Sequence, residues 1–91
     1  MSAASVATLI PVKQAVQNAV AYVREFGDMF PYKDSARLEE TELDDQRDEW
    51  LITISFDAPS DFLGPMSKRV YKVFHVNGHT GEVTAMKNRV S

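Results

Sequence analysis

The sequence predicts an α+β fold in which one N-terminal amphipathic helix packs on a four-stranded antiparallel sheet, in the order α-β-β-β-β. Three observations predict it. Between Leu9 and Phe26 apolar residues recur at helical spacing; from Trp50 to Asp57 they alternate with polar ones at strand spacing; and a glycine-bearing turn from Asn77 to Gly81 separates two further alternating segments.

Set at about 100° per residue, Val12, Ala15, Val16, Ala19, Val23 and Phe26 fall on one side of the helix, with Val20 and Tyr22 at its margins. Lys13, Gln14, Gln17, Asn18, Arg24, Glu25 and Asp28 fall opposite. A helix apolar on one side only requires a sheet or another helix to cover it. Thr8 is the expected N-cap, Pro11 sits in the first turn where its missing N–H is not needed, and Gly27 is the expected stop. Met29, Phe30, Pro31 and Tyr32 then predict an apolar connection packed beside the helix end.

Residues 37–44 read as the first strand, with Thr41 and Leu43 on one face; Leu38 breaks that parity, which predicts a bulge or a later strand start. In the second strand Trp50, Ile52, Ile54 and Phe56 face the helix, while Leu51, Thr53, Ser55 and Asp57 face away. The polar run from Asp45 to Asp48 between these strands predicts a hairpin. Pro59, Gly64 and Pro65 interrupt regular pairing and place the connection from Ala58 to Ser67 outside the sheet. The third strand, Arg69 to Asn77, puts Val70, Phe74 and Val76 on one face and Tyr71, Val73 and His75 on the other. Gly78 and Gly81 permit positive φ in the turn that follows, and Glu82 to Asn88 returns as the fourth strand.

With 91 residues there is room for a single domain, 1–91, and 44% hydrophobic with 25% charged residues is the composition of a globular chain rather than a disordered one. The absence of cysteine excludes disulfides, thiolate metal sites and thiol catalysis. Residues 1–10 carry no cationic cluster followed by an apolar core, and no run approaches the roughly 18 apolar residues of a membrane span, so a cytoplasmic location is expected. Charge is uneven along the chain. From Glu39 to Glu49 seven acids face the single Arg47, whereas from Met66 onward Lys68, Arg69, Lys72, Lys87 and Arg89 face only Glu82.

No catalytic constellation is legible. The two histidines, His75 and His79, are separated by a strand end and a turn, and no nucleophile or third metal ligand stands at a telling distance from them. Asp44, Asp45 and Asp48 lack the order and closing glutamate of a calcium loop. No enzyme activity, metal or cofactor is expected. Lys68, Arg69, Tyr71, Lys72, Lys87 and Arg89 form only a thin basic-aromatic set, so nucleic acid is not the expected partner.

The helix, the charged strand, the segment from Trp50 to Phe56, the segment from Tyr71 to Val76 and the turn from Asn77 to Val83 together resemble the PepSY-like group of small domains. The last hairpin of those domains reads aromatic-x-Val-x-Val-Asp-x-x-Thr-Gly-x-Val; here Asn77 stands at the aspartate position. The resemblance implies a helix on an antiparallel sheet, and a non-enzymatic module linked to protease inhibition or to regulation at the cell envelope. The missing export signal departs from that setting, so an inhibitor, an immunity-type protein or a regulatory protein is expected.

Two surfaces are candidates for partner binding. One is the connection between the second and third strands, where Phe62, Leu63 and Met66 are apolar in a segment kept out of the sheet; the other is the sheet face carrying Tyr71, Val73 and His75. The expected partner is another protein or a second copy of the chain. Small-ligand or nucleic-acid binding through the outer sheet face and the basic C-terminal hairpin is the alternative.

Overall fold

A computed structural model describes residues 9–26, 35–59 and 67–89. Helix α1 (Val12–Glu25) is followed by strands β1 (Arg37–Asp44), β2 (Glu49–Pro59), β3 (Ser67–Asn77) and β4 (Val83–Asn88). The strands form one antiparallel sheet in the order β1-β2-β3-β4, so each strand pairs with its neighbour in sequence. This is the α+β arrangement read from the sequence.

The helix begins at Val12 rather than Leu9, and Pro11 is its N-cap with φ −68° and ψ 155°. A residue preceding proline is disfavoured in the α region, which opposes a helix start before Pro11. No side chain caps this end; the Pro11 carbonyl accepts the N–H groups of Gln14 and Ala15 at 3.0 and 3.2 Å. Thr8, Gly27 and the segment from Met29 to Tyr32 lie outside the described residues.

Ala15, Ala19 and Val23 are buried against Ile52, Ile54, Phe56, Phe74 and Val76, with Val16, Val20 and Tyr22 packed at the margin. The two alanines let the helix approach the sheet closely. Both ends of the expected stripe overhang the sheet instead of being buried: Val12 is 36% and Phe26 39% exposed. Tyr22 meets Phe74 edge-on with ring centroids 6.0 Å apart and stacks obliquely on Phe26 at 4.7 Å. Each fully buried Ile, Val or Phe contributes about 1.5–3 kcal/mol relative to leaving it exposed.

Both bulges in the sheet lie on its edge strands. In β1 the pairing passes from Leu38↔Ile54 to Glu40↔Thr53, so Glu39 is the extra residue and Leu38 returns to the same face as Thr41 and Leu43. In β4 it passes from Ala85↔His75 to Val83↔Val76, leaving Thr84 extra. At the far end, β2 and β3 are longer than expected. Ala58↔Lys68 and Pro59↔Ser67 pair, because a proline that ends a strand removes a donor without opening the ladder.

Helix and hairpins are pinned together where the two turns meet. The Gly78 N–H donates to the Asp48 carbonyl at 2.7 Å, and the Gly78 carbonyl accepts the Ile10 N–H at 2.7 Å. Trp50 Nε1 donates to the Ile10 carbonyl at 2.9 Å, and Asn18 Nδ2 to the Gly81 carbonyl at 2.8 Å. Asn77 Oδ1 accepts the N–H groups of His79 and Thr80, a role an aspartate at this position would also fill. Of the two turn glycines only Gly81 has positive φ, at 79°. Gly78 is required for a different reason: a Cβ there would lie 2.4 Å from the Asp48 carbonyl oxygen. Asp48 itself takes φ 53°, a left-handed conformation that Asp and Asn adopt more readily than other side chains. No helix among the described residues is long and apolar enough to cross a membrane.

Candidate functional site

The register sets the side chains of the face away from α1 into transverse rows. Running from β1 to β4, these are Asp44–Glu49–Asn77, then Glu42–Leu51–His75–Ala85, then Glu40–Thr53–Val73–Lys87, then Arg37–Ser55–Tyr71 with Arg89, whose N–H donates to the Tyr71 carbonyl. Tyr71, Val73 and His75 therefore share a face, as the alternation predicts, and all three are half-buried. Phe62, Leu63 and Met66 lie outside the described residues.

Side chains from the two edges of this face meet over its middle and give it a concave surface. Arg89 Nη1 donates to Glu40 Oε1 at 2.6 Å although β2 and β3 lie between them, a gap of three strand spacings of about 4.8 Å that these two long side chains span. The concavity encloses polar groups that alternation alone places in solvent: Thr53 is 3% and Ser55 0% exposed. Ser55 Oγ donates to Glu39 Oε2 at 2.6 Å and accepts from Arg69 Nε at 3.0 Å. Arg69 also donates to the Ser35 carbonyl at 3.1 Å and pairs with Asp57 at 3.1 Å. The bulged Glu39, a break in the pattern of β1, is thus the residue that completes this cluster.

The cluster and the Arg89–Glu40 bridge close one half of the face, and they differ in weight. Arg69 is mostly buried and has several acceptors, so Arg69→Met removes the donor to the buried Ser55 hydroxyl and to the Ser35 carbonyl and is expected to cost about 1–3 kcal/mol, lowering the melting temperature by on the order of 10 °C. Arg89 and Glu40 are 43% and 52% exposed at their side chains. An exposed pair of this kind is worth under about 1 kcal/mol, so Arg89→Met should melt close to wild type. Parallel thermal melts check both.

The other half stays open around Leu51, Val73, His75 and Ala85, none of them fully buried. His75 Nδ1 lies 2.8 Å from Glu49 Oε1 at its border, and His79 Nε2 lies 3.1 Å from Asp48 Oδ2 on the adjoining turns. Sequence reasoning separated the two histidines correctly but missed both carboxylates, which come from the facing hairpin across a register that only the fold supplies. Ser55 Oγ bonds Glu39 and Arg69 and no histidine. Among the described residues no group of three or more His, Asp or Glu is placed to hold a metal ion.

The basic-aromatic set is divided by the sheet. Arg69, Tyr71 and Lys87 occupy the concave face, whereas Lys72, opposite Ile54, lies on the helix side and donates to Asn88 Oδ1. Arg69 and Arg89 are already committed to acids. The edges are guarded as well: each edge strand carries a bulge, β1 has Glu40, Glu42 and Asp44, and β4 is six residues long with Lys87 near its end. Bulges, charges and short length are the devices that discourage strand addition. Comparison of the chain with family models, with curated proteins and with solved structures gave no match.

Proposed function

We propose that this domain is a non-enzymatic protein-binding module, an inhibitor, immunity-type or regulatory protein of the kind the PepSY-like resemblance implies, whose partner docks on the open half of the concave face. The observation that carries this reading is the arrangement of that half. An apolar centre of Leu51, Val73 and Ala85 is flanked by Glu42 on one side and Lys87 on the other, and neither charge is in an ion pair among the described residues. An apolar centre within a polar, charged rim is the anatomy of a protein interface. The division of the basic residues between two faces weighs against nucleic acid. A cytoplasmic setting belongs to the same proposal.

The test is comparative capture from a host extract, with wild type, Val73→Glu, Ala85→Glu and Gln17→Glu immobilised after their melting temperatures are matched. Loss of the same protein from both face variants, and its retention by Gln17→Glu and by wild type at high salt, supports the reading. Equal capture by all four contradicts it. Capture that collapses steeply with salt and carries nucleic acid would replace it with phosphate-driven binding.

A further inference from the structure

The two edges of the concave face carry opposite charge beside its open half. On β1 the register sets Glu40, Glu42 and Asp44 in a column of acids on this face, and on β4 it sets Lys87 at the opposite edge. Glu40 is bonded to Arg89. Glu42 and Lys87 are both exposed, and neither is in an ion pair among the described residues. Leu51, Val73 and Ala85 lie half-buried between them. Edge-to-edge pairing of two copies is discouraged by the bulges and charges of β1 and β4, so a second copy meets this sheet through its face.

Two copies packed face to face, about 10 Å apart, are related by a two-fold axis that lies between the sheets. The acids of β1 decide its direction. An axis across the strands sets β1 over β1 and brings the two acidic columns together. An axis along the strands sets β1 of each copy over β4 of the other, so that Lys87 reaches Glu42 and the apolar centres meet; because a two-fold contact repeats itself, one complementary pair becomes two. The same axis opposes Arg37 to Arg89 at the closed end, so the sheets converge at the open halves and splay apart beyond them. We infer that the open half is self-complementary and that its partner is a second copy of this chain, docked about a two-fold axis parallel to the strands with Glu42 of each copy against Lys87 of the other. The inference rests on the reading of this face as a protein-binding surface and names its occupant. Four strands and three rows make a patch of on the order of 400 Å², below the roughly 800 Å² per partner of a standard interface. The dimer is therefore a reversible one, with a dissociation constant on the order of 100 µM.

The test combines sedimentation velocity over a concentration series with backbone and methyl resonances. Wild type is expected to pass from monomer to dimer between about 10 µM and 1 mM, with shifts at Leu51, Val73 and Ala85 that track the dimer fraction. Glu42→Lys and Lys87→Glu each turn both contacts into like-charge ones and should weaken association about tenfold. An equimolar mixture of the two variants restores both contacts in the mixed pair and should associate as wild type does, a rescue that a face built for a different protein would not show. A wild type monomeric through about 1 mM, a mixture no tighter than its components, or shifts centred on α1 would each overturn the inference, and the wild-type series decides it even if a variant folds poorly. A monomer that still captures a different host protein through Val73 and Ala85 overturns this inference alone and leaves the protein-binding reading standing.

Discussion

Val23→Asp is expected to leave the chain unfolded at ambient temperature, whereas Gln17→Asp, on the opposite face of the same helix, should melt within a few degrees of wild type. Val23 is 3% exposed and packed in the cluster with Ile52, Ile54 and Phe74. A carboxylate there has no described partner and must either stay ionised in an apolar setting or take up a proton, and both routes cost several kcal/mol. A domain of this size has a stability of about 5–15 kcal/mol or less, so one such change removes most of it. Gln17 is exposed, and the change there is limited to a helix-propensity difference of about 0.5 kcal/mol. Val16→Asp should fall between the two, because Val16 is only half-buried. Far-ultraviolet circular dichroism with thermal melts reads all three; coincident melts for Val23→Asp and Gln17→Asp would contradict the helix phase.

Gly78→Ala is expected to be the most damaging change outside the core. The added methyl would sit 2.4 Å from the Asp48 carbonyl oxygen and 2.7 Å from Leu9 Cδ2. The first neighbour is backbone, held by the Gly78 N–H bond and by the left-handed Asp48, so it has little freedom to retreat. Relief requires separating the two hairpin turns, which loses the Gly78–Asp48 bond and loosens the Ile10–Gly78 bond that docks the helix. Overpacking and a stranded buried donor together come to about 2–4 kcal/mol, a fall of on the order of 10–20 °C in melting temperature. Amide exchange should then accelerate at Ile10 and Gly78 before it does at Ile52. A melting temperature equal to wild type would mean that the two turns are not in contact.

Why some of this was legible in the sequence and some was not can be traced to particular residues. Periodicity is a local property, and it placed Ala15, Ala19, Val23, Ile52, Ile54, Phe56, Phe74 and Val76 together because helix and strand spacing each assign a face without any knowledge of the partner element. Even the bulge in β1 was visible, as a parity error at Leu38. Non-local pairings were not: Glu39 to Ser55, Glu49 to His75 and Arg89 to Glu40 depend on strand order and register, neither of which a single segment carries. For the same reason Thr53 and Ser55, polar residues on the side away from the helix, are enclosed where alternation alone leaves them exposed. The role of Gly78 was misassigned, since a turn glycine read from sequence suggests positive φ while the fold demands the absence of a side chain. Of the candidate site, the face of Tyr71, Val73 and His75 was legible; its division into a closed and an open half was not.

The central claim is that the open half of the concave face is where a partner protein sits. Site-specific photocrosslinking in the native host tests it most directly, with benzoylphenylalanine in place of Ala85 at the centre of that half, or in place of Gln17 on the exposed side of α1. A discrete crosslinked protein from position 85 and none from position 17 is the predicted result, and a product at twice the chain's mass identifies a second copy as that partner. Crosslinking from position 17 alone, or the same product from both positions, would contradict the claim.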